Sequence, residues 1–180
     1  YAVKYPVSQA RGAYWTARAM EATGDDTLAE DWHRLAADHP TTYYGQLSTA
    51  RLHPGGSLAL PAQPKPDDKD NKTFNAHELV KAARLLAAVG EQDRLKPFIL
   101  RLDELAKTPG WRLLNAELAA ATGRLDLSVS VSKRAARQGL KLTGTAYPVV
   151  TLPPLPAKSN PGVEAPLVLA VVRQESAFYV

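Results

Sequence analysis

An all-α fold is predicted by three observations. Alanine and leucine recur at helical spacing along the 180 residues, and strand-like alternation is nearly absent. Three glycines, Gly24, Gly90 and Gly123, each close an apolar run and precede polar or acidic residues. A glycine so placed ends one helix in a left-handed turn and opens the way to the next. Gly90 and Gly123 stand 33 residues apart, and Gly24 and Gly90 stand 66 apart, twice as far. A helix–turn–helix unit repeating at about this length predicts a tetratricopeptide-like solenoid, a superhelix of antiparallel helix pairs. The stretch His53-Pro54-Gly55-Gly56 interrupts that spacing.

Taken in order, helices are expected near residues 8–23, 26–38, 41–52, 74–89, 92–106, 110–122 and 125–138. Ser8 and Asp25 suit N-caps, and Thr108-Pro109 announces the helix that Trp111 opens. Pro97 falls six residues into its helix, which demands a late start or a kink. Ser128-Val129-Ser130-Val131-Ser132 alternates like a strand, but Lys133-Arg134-Ala135-Ala136-Arg137 follows without a break, so a helix is expected. Two segments resist helix. Residues 53–72 hold Pro54, Pro61, Pro64 and Pro66 and then Asp67-Asp68-Lys69-Asp70-Asn71-Lys72, and read as a mobile linker. Residues 140–162 hold Pro148, Pro153, Pro154, Pro156 and Pro161, a stiff, extended connection and the natural domain boundary. The expected organisation is a helical scaffold at 1–139, a proline-rich connection at 140–162 and one further helix at 163–180.

The chemistry of most function classes is missing. A balance of 22 Lys and Arg against 18 Asp and Glu gives a charge of +4, which favours an anionic partner. Lys133, Arg134, Arg137 and Lys141 spread over a broad helix face without a phosphate loop, an RNA-binding aromatic signature or a zinc finger, so nucleic acid is not expected. No apolar run reaches the ~18 residues of a membrane span. The absence of cysteine excludes disulfides and thiolate metal sites. His33, His39, His53 and His77 show no i, i+4 pairing, and no metal or organic cofactor is expected. Asp67, Asp68, Asp70 and Asn71 lack the glycine and closing glutamate of a calcium loop and read as solvated linker. A Ser-His-Asp arrangement is open on residue count, although no nucleophile-elbow glycines frame a serine. Tyr14, Trp15, Trp32, Tyr43 and Tyr44 could stack on sugars, but packing helix against helix is the favoured reading.

The last helix carries the candidate site. It reads Pro166-Leu167-Val168-Leu169-Ala170-Val171-Val172-Arg173-Gln174-Glu175-Ser176-Ala177-Phe178. A helix apolar on all sides belongs inside a core. At about 100° per residue, Leu167, Val171, Glu175 and Phe178 share one stripe. Desolvation there would raise the pKa of Glu175, and a carboxyl protonated near neutrality is what general-acid cleavage of a glycosidic bond requires. The structural alternative is an ordinary helix-end glutamate with Gln174 and Ser176 as solvated or capping groups.

Arg173-Gln174-Glu175-Ser176-Ala177-Phe178 with its apolar run resembles the opening helix of the lysozyme-like catalytic domain of soluble lytic murein transglycosylases. A second segment, from Ala13-Tyr14-Trp15-Thr16-Ala17-Arg18-Ala19 to His39-Pro40-Thr41-Thr42-Tyr43-Tyr44-Gly45-Gln46-Leu47, resembles that family's helical scaffold. Tyr147-Pro148 and Leu152-Pro153-Pro154 resemble its approach to the catalytic domain. The resemblance implies cleavage of the β-1,4 bond between N-acetylmuramic acid and N-acetylglucosamine in peptidoglycan, leaving a 1,6-anhydro sugar. It makes Glu175 the sole acid and base, gives Ser176 a place in orienting Glu175 or substrate, and implies no cofactor, a periplasmic location and a monomer acting on glycan strands. The family's groove also uses residues well downstream of the glutamate, including a Gly-Leu-Met-Gln segment and, later still, a tyrosine. This sequence contains neither, so these 180 residues alone are expected to be inactive. The alternative, from another class, is a non-catalytic helical scaffold that binds protein or glycan.

Overall fold

The computed structural model describes residues 5–152 and 163–179. Every regular element among them is helical. The chain divides into two compact units at Ala62 and Gln63, inside the segment expected to be a linker.

The first unit holds α1 (Pro6–Thr23), α2 (Asp26–Ala37) and α3 (Tyr43–Leu52). Helix α1 starts two residues before the expected cap Ser8, because Pro6 supplies a ready-made first-turn φ and needs no donor. Gly24 at φ 84° ends it, and Asp25 caps α2 by accepting from the Leu28 N–H at 3.1 Å. The two-residue connection folds α2 back along α1. Ala10, Ala13 and Ala17 on α1 and Ala29 and Ala36 on α2 form the buried seam. Such small residues let helix axes approach closely but bury little apolar area each. At the start of α3, a Cβ on Gly45 would drive into the His39 carbonyl and the Thr42 hydroxyl. The glycine of the Tyr-Gly-Gln-Leu stretch is there for packing.

The second unit, from Gln63 onward, holds α4 (Asp68–Ala76), α5 (Glu78–Ala88), a 3-10 turn at Gln92–Arg94, α6 (Leu95–Leu105), α7 (Pro109–Ala121), α8 (Leu125–Arg137), the single turn α9 (Thr143–Ala146) and α10 (Ala165–Glu175). Its core is larger-grained: Phe74, Val80, Leu95, Ile99, Leu102, Leu113, Leu127, Val131 and Leu142 are all buried. Gly90 and Gly123 turn at φ 82° and 83°, as their placement predicts, and Gly139 turns likewise at 81°. Pro97 sits in the first turn of α6, where its missing N–H costs nothing, so the late start is realised rather than a kink. Ser128 to Ser132 are helical within α8.

Helix α4 corrects the expectation of a mobile linker through residue 72. Asp67 accepts from the Asp70 N–H at 2.6 Å as N-cap, and Asp68 and Asp70 place negative charge in the first turn, where the helix dipole favours it. Asp70 is buried and accepts from the Thr108 hydroxyl at 2.6 Å, so this acidic run is a helix start and not solvated linker. The connection expected at 140–162 contains α9 and the buried Leu142, which tie its first part to the core. Pro153, Pro154, Pro156 and Pro161 lie outside the described residues. The span between Gly24 and Gly90, which matched two repeats in length, holds α2 to α5 and an irregular stretch at 53–67 rather than one more glycine-turned pair.

Candidate catalytic carboxylate and its surroundings

Helix α10 opens after Glu164 with proline in its first turn and closes at Glu175, three residues short of the expected end at Phe178. Ala177 and Phe178 follow at φ 51° and 66°. Two successive non-glycine residues in the left-handed region are uncommon and carry strain, and they sit two and three residues beyond the candidate acid.

The surroundings of Glu175 differ from those expected of a core helix. Helix α10 buries none of its residues, and Leu167 and Val171 are 59% and 53% exposed. Glu175 is exposed with them. Leu167, Val171 and Glu175 share a face, but it is the open one, and Phe178, expected on the same stripe, lies beyond the helix end and is half-buried; Val168, Leu169, Val172 and Arg173 form the half-buried face. Helical periodicity fixes which residues share a face and does not fix what covers that face.

Arg173 anchors the helix. Its Nε donates to the Ala146 carbonyl at 2.6 Å, and its guanidinium lies 4.0 Å from the centre of the Tyr147 ring. A cation over an aromatic face is attracted by the ring quadrupole, and a cation in the last turn suits the helix dipole. Tyr147 and Arg173 come from separate stretches of the resemblance, and here they touch. Tyr179 lies 5.4 Å from the Arg124 guanidinium carbon, which tethers the chain beyond α10. Ser176 donates to the Val172 carbonyl at 3.2 Å, along its own helix and not toward Glu175.

Carboxyls raised by desolvation occur elsewhere in the second unit. Burial pushes Asp103 up despite Arg112 at 3.2 Å and Arg134 at 3.3 Å, so it works as a buried strap across α6, α7 and α8. Arg134, one of the four cations of the basic stretch, is thereby paired while its side chain stays 42% exposed. Partial desolvation also raises Glu117, an exposed residue that lines a cavity of about 520 Å³ with Phe74, Arg84 and Leu118. Lys133 is pushed down by burial and by Arg173 and Arg137 nearby, so the basic stretch of α8 continues onto α10.

In the first unit, sequence reasoning missed a constellation that spacing could not reveal. His33 Nδ1 lies 3.0 Å from Ser48 Oγ, and its Nε2 lies 3.2 Å from Glu21 Oε1. The residue types are those of a serine nucleophile, base and orienting carboxylate. Ser48 is 0% exposed, however, and no substrate reaches it. The set is a polar clamp joining α3, α2 and α1, with Arg51 and Arg18 each 2.8 Å from the same glutamate.

The aromatic set packs helix against helix in part: Tyr14 and Trp15 on α1 meet Tyr44 on α3 with centroids 5.3 and 6.4 Å apart, and Tyr14, Trp32 and Tyr44 are half-buried. Trp15 and Tyr43 differ, at 58% and 69% exposed; Ala13 and Ala17, beside Trp15 in sequence, take buried positions. Among the described residues no three His, Asp or Glu side chains gather to hold a metal ion, and no helix is long and apolar enough to cross a membrane. Comparison with protein-family models, curated proteins and solved structures gives no match.

Proposed function

We propose that this chain supplies the catalytic glutamate, and part of the helical scaffold, of a lytic transglycosylase acting on peptidoglycan in the periplasm. The observation that carries the reading is the pairing of Arg173 from the Arg-Gln-Glu-Ser-Ala-Phe stretch with Tyr147 from the Tyr-Pro stretch, which leaves Glu175 open on the last turn of α10. Glu175 protonates the glycosidic oxygen between N-acetylmuramic acid and N-acetylglucosamine. The resulting carboxylate then takes the proton of the sugar's own 6-hydroxyl as that oxygen closes on the anomeric carbon. One carboxyl serves both steps, unlike the paired carboxylates of most glycosidases. The exposed Leu167 and Val171 face is the surface that the rest of a lysozyme-like domain covers, and that cover gives Glu175 the apolar setting a general acid needs. The glycine-turned pairs α5–α6 and α7–α8 are read as consecutive units of a solenoid. The left-handed residues at 177 and 178 fit a backbone held in strain beside a site.

The test uses a protein in which these residues are followed by a groove-forming segment. Glu175→Gln removes the transferable proton while keeping shape, and release of anhydro-sugar fragments is expected to fall ~10²–10⁴-fold with peptidoglycan binding retained. Glu164→Gln and Glu104→Gln are controls that keep activity. Near-normal turnover in Glu175→Gln overturns the assignment. The second reading, a glycan- or protein-binding scaffold without catalysis, is favoured by the exposed rings of Trp15 and Tyr43.

A further inference from the structure

A cavity of about 560 Å³ opens in the second unit between the start of α4, His77 and the connection from α6 to α7. Its volume lies within the range of small-molecule sites. Trp111 is a fixed wall: its Nε1–H donates to the Leu102 carbonyl at 3.3 Å, and its ring stands edge-on to Phe74 at 5.2 Å and to His77 at 5.8 Å. Leu105 extends the apolar lining.

The rim offers donors and acceptors together. Asp67 spends Oδ1 on the Asp70 N–H and keeps Oδ2. Thr73 donates to the Lys69 carbonyl at 2.7 Å and keeps acceptor capacity. His77 Nδ1 accepts from the Leu79 N–H at 3.2 Å, which puts the proton of the neutral ring on Nε2 as a donor. Lys69 and Lys107 add ammonium donors. An anionic ligand would meet Asp67 and Asp70, and a cationic one would meet Lys69 and Lys107. A neutral ring with many hydroxyls meets neither repulsion, because each hydroxyl both donates and accepts.

We propose that this cavity binds a pyranose, its apolar C–H face on Trp111 and its hydroxyl or acetamido groups on Asp67, Thr73 and His77. The site stands whether or not Glu175 is catalytic. The test is an amide and indole NMR titration of the full chain with diacetylchitobiose, the Trp111 indole resonance being identified by its loss in Trp111→Phe or, if that variant does not fold, by its contacts to His77. A saturable shift at Trp111 with a dissociation constant on the order of 1 mM is expected, with Trp15 and Trp32 unmoved. Thr73→Val, at an exposed position, is expected to weaken it about fivefold, the effect of one lost hydrogen bond. No saturable Trp111 shift by roughly 50 mM sugar overturns the proposal. So does an equal shift with free glutamate or lysine, which would make the cavity a site for charged ligands.

Discussion

The two units solve the same problem, holding helices together, with different materials. The first packs α1 to α3 on alanine and a buried glycine and closes the seam with polar groups: Glu21, His33 and Ser48 in a row, with Arg18 and Arg51 on the glutamate. The second packs phenylalanine, leucine, isoleucine and valine, and one of its buried charged residues, Asp103, is set against two arginines. Alanine seams draw little from the hydrophobic effect, so fit and hydrogen bonding must specify the first unit. In the second, apolar burial carries the stability and polar straps fix which helices meet.

The largest expected break is in the second unit. Ile99→Ala removes a fully buried side chain among α6, α7 and α8, and a loss of about 2–5 kcal/mol is expected from transfer and cavity terms together. Denaturant unfolding followed at resolved amides of α5 to α8 measures it. A loss below ~1 kcal/mol would show that this core is not close-packed.

In the first unit the sharpest break comes from adding an atom. Gly45→Ala sets a Cβ against the His39 carbonyl and the Thr42 hydroxyl, backbone and cap at once. Overpacking of this kind costs about 1–3 kcal/mol, and the loss of amide protection should centre on α3 and the turn before it. An unchanged α3 would mean that the His39 turn yields freely, and that fit does not hold this unit.

What the sequence revealed follows the same division. Local signals were legible: Gly24, Gly90 and Gly123 turn left-handed, and Asp25 and Thr108 cap their helices. The start of α4 was legible in principle, since Asp67 with Asp70 three residues on is an N-cap pattern, but clustered charge and nearby prolines also describe a linker. Which of the two applies depends on Thr108, 38 residues away, meeting Asp70. The clamp of Glu21, His33 and Ser48 spans three helices and leaves no periodic trace. Glu175 illustrates the limit for a site: it shares a face with Leu167 and Val171 as periodicity predicts, but the helix ends before Phe178 and that face is open, which periodicity does not tell.

The smallest expected effect separates the units by pH. In the first, the hydrogen bond from Arg51 holds Glu21 below its ordinary value of 4.5, against the opposing effect of burial, with His33 helping. A carboxyl lowered in the folded state adds stability above its unfolded pKa and loses it as pH falls through the native one. The first unit should therefore weaken only below about pH 4.5 from this source. In the second, desolvation raises Asp103 and Glu117 above 3.8 and 4.5. The folded unit then binds protons before the unfolded chain does, so stability rises as pH falls toward those ordinary values. Asp126, held low against burial by its bond from Arg124, reverses that gain only at lower pH still. Denaturant midpoints read separately from α1–α3 and α5–α8 amides, in steps from pH 7 to 3.5, are expected to diverge, the second unit gaining slightly before the first begins to lose. Parallel curves would mean that Asp103 draws enough from Arg112 and Arg134 to offset its burial, and Arg134→Gln should then restore the divergence.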